Sequence, residues 1–211
     1  MNPFDFSQKR PAFVILGAPG AGKGTQGKVM GTIPRFFHFA CGDAFRSLDT
    51  RTAIGQKFVQ YSSRGELVPD ELTIELWKSQ IESLAAATAY KPDIDCLVLD
   101  GIPRNVRQAE LLDQYVDVHQ VFHLSCPNRE ELVRRMRKRA LKDNRIDDAS
   151  DAVISQRIAT YDAETKPILA HYPKDRVFEI DATAPPVKVL AEIVQRIVSL
   201  PIYQQMSERI I

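Results

Sequence analysis

A ten-residue stretch, GAPGAGKGTQ at residues 17–26, constrains this chain more than any other. It follows the short apolar run AFVILG (12–17) and precedes a helical pattern, so it reads as a phosphate-cradling loop between a buried strand and a helix. Glycines there permit close backbone approach that a Cβ would block. Successive N–H groups can then face an anion at the helix N-terminus. Lys23 adds a compact, mobile positive charge for terminal phosphates. The common pattern G-x-x-x-x-G-K-[ST] puts a hydroxyl directly after the lysine, on magnesium. Here Gly24 follows Lys23, and the hydroxyl arrives one residue later, at Thr25. A merely flexible turn is the bland alternative, and the strand before, the lysine spacing and the helix after argue against it.

The rest of the chain alternates apolar runs with helical patterns. Residues 35–40, 95–101, 119–125 and 176–181 read as four further strands, and 69–87, 128–141, 151–172 and 185–200 as helices between and after them. That alternation predicts an α/β fold: a five-stranded parallel sheet flanked by helices. The 211 residues suit one domain, 1–211, with room for small insertions. A net charge of +1 argues against a general nucleic-acid binder. No run of ~18 apolar residues is present to span a membrane. The opening MNPFDFSQKRP has no apolar core of a signal peptide and fits a transit peptide poorly, so a cytoplasmic protein is expected. Cys41, Cys96 and Cys126 form no C-x-x-C pair and suggest neither a disulfide framework nor zinc.

Ligands of such sheets bind beyond the carboxyl ends of the strands. Asp100-Gly101 closes the third strand, and Arg104 follows within the same loop. In RRMRKR (134–139), Arg135 and Arg139 stand i, i+4 and share a helix face. Arginine suits phosphate because its planar fork bonds oxygens bidentately and stays charged. Taken singly, Asp100 reads as a helix cap, Arg104 as a surface charge, the basic run as a solvated face and Gln108 as an exposed helix glutamine. His38, His119, His123 and His171 form no zinc-binding pair and read as structural.

Together these segments resemble the adenylate kinases, within the nucleoside monophosphate kinases, over nearly the whole chain. Residues 17–26 match that family's G-x-P-G-x-G-K-G-T-Q, including the glycine after the lysine. HFACGDAFR (38–46), GELVPDEL (65–72), LDGIPRNVRQAE (99–110), RRMRKR, RIDD (145–148) and QRIATY (156–161) are similar to its later segments. The resemblance implies magnesium-dependent transfer from ATP to AMP, giving two ADP. It implies an ATP site of Gly20, Ala21, Gly22, Lys23, Gly24, Thr25, Arg135 and Arg139. The implied AMP site is Cys41, Arg46, Val68, Gly101, Arg104, Gln108, Arg145 and Arg157, with Gln108 reading the base. Lys23, Arg104, Arg139, Arg145 and Arg157 are implied to be catalytic. Thr25, Asp43 and Asp100 would meet magnesium through its waters rather than as direct ligands. The expected partners are thus small-molecule nucleotides, with no nucleic acid, membrane or zinc, and the expected state is a monomer.

Four departures stand out. Ala40-Cys41 replaces the family's Ser-Thr in the acceptor-base pocket, and Ile102 replaces its Phe or Tyr. The resemblance implies a monophosphate-binding insertion at 40–69 and a lid at 140–148; that lid is short, and Arg145 to Arg157 spans one residue more than the pattern expects. Two alternatives remain open: a uridylate–cytidylate kinase, for which Asn105 after the Pro-Arg pair is the strongest case, and a GTP:AMP phosphotransferase. A GTPase would need N-K-x-D, which is absent, and an inactive adaptor would be expected to lose Lys23 or an arginine.

Overall fold

The computed structural model describes residues 5–143 and 150–208. Strand β1 (Arg10–Gly17) is the middle of a five-stranded sheet of order β2-β3-β1-β4-β5, parallel throughout. Ala12, Phe13, Val14 and Ile15 are fully enclosed, because helices cover both faces of the sheet at its centre. That is why β1 reads as an unbroken apolar run rather than an alternating one.

From β1 the chain enters α1 (Lys23–Met30) and crosses to β2 (Phe36–Ala40) at the sheet edge. Two short helices follow, α2 (Cys41–Arg46) and α3 (Ala53–Ser62), the latter capped by Thr52, whose hydroxyl accepts from the Gly55 N–H. Helix α4 (Asp70–Ala86) then packs Trp77 and Ile81 under one sheet face and leads to β3 (Cys96–Asp100), beside β1. Helix α5 (Val106–Leu112) leads to β4 (Val116–Ser125) on the other side of β1. Helices α6 (Arg129–Asp143), α7 (Asp151–Thr160) and α8 (Ile168–His171) precede β5 (Val177–Asp181). Helices α9 (Pro186–Val198) and α10 (Pro201–Glu208) end the described chain.

The sheet divides the core in two. Ala12, Val14 and Leu16 face a cluster with α4 and α5, while Phe13 and Ile15 face one with α1, α6 and α9. All five expected strands form, with β1 and β4 starting earlier than their apolar runs suggest: Arg10 is already paired with Val116.

The expected single helix over 151–172 is the main correction. The chain forms α7, then a π-helical turn at Tyr161–Thr165, then α8. The Lys166 N–H reaches back five residues to the Tyr161 carbonyl at 2.8 Å. Pro167, next in line, has no N–H with which to continue the ladder. Among the described residues no helix is long and apolar enough to cross a membrane.

Candidate active site

Strands β1 and β3 lie side by side, yet their outgoing connections run in opposite directions: β1 leads across β3 to β2, and β3 leads across β1 to β4. Such a reversal opens a crevice at the strands' carboxyl ends. A cleft of about 970 Å³ lies there, lined by the 17–26 loop, Asp100, Gly101 and Arg104.

The loop's conformation depends on its glycines. Gly22 is the N-cap of α1 in the left-handed region, at φ 97°, and no side chain caps that end. The helix start therefore offers its N–H groups to an anion. Gly20 has φ 87°, and a Cβ there would stand 2.8 Å from the Leu132 carbonyl oxygen of α6. Only glycine lets the loop lie this close to that helix.

Lys23 curls back over the loop. Its Nζ donates to the carbonyls of Gly17 at 2.7 Å and Ala18 at 3.1 Å. Burial lowers its pKa to about 8, against the opposing pull of Asp100 and with smaller contributions from Arg104, Arg139 and Arg157. These three arginines come from a loop after β3, from α6 and from α7, so distant segments concentrate positive charge around one ammonium. Arg46 lines the same cleft and is ion-paired with Asp43. Arg145 lies outside the described residues, as does most of the expected 140–148 lid.

Several side chains hold those cations in place. The Arg104 Nε–H donates to the Gly101 carbonyl at 2.9 Å, and the Thr165 hydroxyl donates to the Arg104 carbonyl at 2.6 Å. On α6, Arg135 is anchored twice, by Glu131 at 2.7 Å and by the Ala182 carbonyl at 2.8 Å. Its neighbours Arg134 and Arg137 are exposed in ion pairs with Glu131 and Asp151, as expected of a solvated face.

The other end of the cleft is less charged. Cys41, Val68, Thr73 and Gln108 line it. Burial raises the Cys41 thiol to about 11, so it is a neutral, weakly hydrogen-bonding group at neutral pH. Gln108 is not an exposed helix glutamine: it is 1 % exposed. Its Oε1 accepts from the Arg104 N–H at 2.8 Å, and its Nε2 donates to Asp70 at 2.9 Å.

None of the four histidines lines the cleft. His123 bonds the Tyr161 hydroxyl, and His171 bonds Asp113. His38 is closer to the chemistry than its sequence context suggests, with Nε2 3.6 Å behind the Asp100 carboxylate. Among the described residues no group of three His, Cys, Asp or Glu is placed to hold a metal. The cleft does carry the Asp100 and Asp43 carboxylates and the Thr25 hydroxyl. These are hard oxygen donors of the kind that suits magnesium already bound to phosphates and water. Sequence reasoning gave no role to Asp70, Glu131 or Thr165. Asp70 and Glu131 each stand in the first turn of a helix, where an acid is accounted for by the helix dipole alone.

Residues 15–177 match the family model described as adenylate kinase. The chain is 35 % identical to the adenylate kinase of Thermobifida fusca, over 87 % of its own length and 94 % of that protein. It is 32 % identical to the adenylate kinase of Dehalococcoides mccartyi over 88 % of its length and 95 % of the relative's. To that of Cyanothece sp. it is 35 % identical over 85 % and 91 %.

Proposed function

The chain belongs to the adenylate kinase family, and we propose that it transfers the γ-phosphoryl group of ATP to AMP, giving two ADP, with magnesium. The observation that carries this reading is the convergence of Arg104, Arg139 and Arg157 on Lys23 in one cleft that also reaches Cys41 and Gln108. Two phosphate chains brought together repel, and cations arriving from separate segments offset that repulsion.

Phosphoryl transfer has a loose transition state with charge on the equatorial oxygens, so catalysis is positioning and electrostatics. The 17–26 backbone and Lys23 hold the donor's phosphates, and Arg135, fixed by Glu131 and Ala182, stands on the donor side with Arg139. Arg46, Arg104 and Arg157 hold the acceptor's phosphate, with Arg145 joining them. Val68, Gly101, Cys41 and Gln108 enclose the acceptor. Transfer is direct and in line, with no covalent enzyme intermediate. Magnesium, when bound with ATP, neutralises phosphate charge, and Asp100, Asp43 and Thr25 would hold its waters. Residues 40–69 and 140–148 act as two covers that close on the nucleotides and exclude water. The protein is read as a cytoplasmic monomer acting on free nucleotides.

Steady-state rates with ATP and each of AMP, UMP, CMP and GMP, and with GTP in place of ATP, test the proposal. AMP with ATP should give the highest kcat/KM. The Cys41 thiol, standing where the family has a hydroxyl, leaves the acceptor pocket a weaker hydrogen-bonding group, and UMP or CMP outperforming AMP would establish the pyrimidine alternative.

A further inference from the structure

The Gln108 amide is held in one of its two orientations, and Asp70 is one of the two groups that hold it. Asp70 Oδ1 accepts from Gln108 Nε2 at 2.9 Å and from Asn105 Nδ2 at 2.8 Å. On the other side the Arg104 backbone N–H donates to Gln108 Oε1 at 2.8 Å. The Gln108 N–H in turn donates to Asn105 Oδ1 at 2.8 Å, which ties the start of α5 into the same network. A half-turn of the amide would set its NH₂ against the Arg104 N–H and its oxygen against the Asp70 carboxylate. Both contacts would become repulsive, in a side chain that is 1 % exposed.

Each amide atom keeps one unused bond: a second lone pair on Oε1 and a second N–H on Nε2. Adenine's six-membered edge presents an N6–H donor beside the N1 acceptor. Hypoxanthine, nearly the same shape, presents the O6 acceptor beside an N1–H donor, the reverse order. An amide free to turn would serve either base, and a locked amide serves one. Accepting the function proposed above, we propose that Asp70 is a positioning residue that sets acceptor-base specificity: by fixing the Gln108 amide it selects the 6-amino purine over the 6-oxo purine. Asp70 lies outside the cleft lining and acts only through Gln108.

The test compares AMP with IMP as acceptors, with ATP as donor. The wild type should strongly prefer AMP. Asp70→Leu keeps roughly the size of the side chain but offers no acceptor to Gln108 Nε2, so it removes one of the two locks. The ratio of kcat/KM for AMP over IMP should contract about tenfold, through KM, while kcat with AMP stays within about twofold. In a Gln108→Ala background the same change should leave the ratio unmoved. If Asp70→Leu does not fold, Asp70→Ala removes the carboxylate with a smaller side chain and carries the same expectation. An unchanged ratio, a parallel fall for both acceptors, or a wild type that uses IMP as well as AMP overturns the assignment while leaving the kinase reading intact. A wild type inactive with every monophosphate overturns the kinase reading itself, and this one with it.

Discussion

Lys23 Nζ donates to the Gly17 carbonyl at 2.7 Å, so the ammonium is folded back onto the loop whose N–H groups would cradle phosphate. The arrangement satisfies a half-buried cation within the protein's own backbone. A phosphate entering the cleft must exchange its oxygens for those carbonyls. The lysine is thus held ready by weak, neutral partners that a charged ligand displaces.

Replacing that cation should cost rate rather than fold. Lys23→Met keeps the length and apolar stem of the side chain. Loss of one such electrostatic contact is worth roughly 2.7–4 kcal/mol, or about 10²–10³ in kcat. Circular dichroism should be unchanged. A folded Lys23→Met protein with near-normal turnover would remove the loop from the mechanism.

The depressed pKa of Lys23 gives two opposite pH trends. Its ordinary value is 10.5 and burial takes it to about 8, so between those values the unfolded chain holds a proton that the folded one has lost. Stability rises with pH wherever the unfolded state binds more protons, so this group adds stability as pH climbs through that window. Phosphate binding needs the charged form, so ATP affinity should fall as pH rises above about 8. Calorimetry near pH 8.5 in buffers of different ionisation enthalpy should detect proton uptake on ATP binding, and Lys23→Met should abolish it. Uptake that persists in the variant would assign the proton elsewhere.

The strands and the phosphate loop were legible because their signals are local. A fully covered parallel strand must be continuously apolar, and Gly20 and Gly22 occupy backbone positions with φ 87° and 97°. Arg135 and Arg139 declare their common face by spacing alone. What was not legible depends on contacts between segments far apart in sequence. Gln108 looks like a surface residue on a seven-residue helix until Asp70, 38 positions away, closes over it. Thr165 carries no local sign that it bonds Arg104, 61 positions away. The break after α7 was partly visible in Pro167, but the helical periodicity of 151–172 outweighed it.

Gln108→Ala should narrow the preference for AMP over UMP and CMP. Its amide is buried and tethered at both atoms with one bond left on each for the base, so the site would lose both a base contact and the partner of the Arg104 N–H. An effect of about 1–3 kcal/mol on relative kcat/KM is expected. Equal losses for all three acceptors would mean that the residue serves the fold and not the base.

Thr165→Val tests the anchor on the far side of Arg104. The substitution preserves shape and removes the hydroxyl that donates to the Arg104 carbonyl at 2.6 Å, at a residue only 8 % exposed. A buried polar group left without its partner costs about 1–3 kcal/mol. The urea midpoint should fall by that equivalent with the slope unchanged. A stability within ~0.5 kcal/mol of wild type would show that water replaces the hydroxyl.

The proposal that one cleft takes two nucleotides can be tested directly. Gly20, Lys23 and Arg135, proposed above to hold the donor, and Arg46, Arg104 and Gln108, proposed to hold the acceptor, line one continuous space of about 970 Å³. An inhibitor joining two adenosines through five phosphates should span it. Once one adenosine is seated, the second binds from an effective concentration on the order of millimolar, so affinity should exceed that of ATP by about 10²–10⁴. If residues 40–69 close over it as proposed, they should be protected from proteolysis, whereas ATP alone should protect them less. Removing the acceptor-side cation by Arg46→Ala should lower affinity for the linked ligand far more than affinity for ATP. Equal affinities for the two ligands, or equal losses in the variant, would show that the cleft holds one nucleotide at a time.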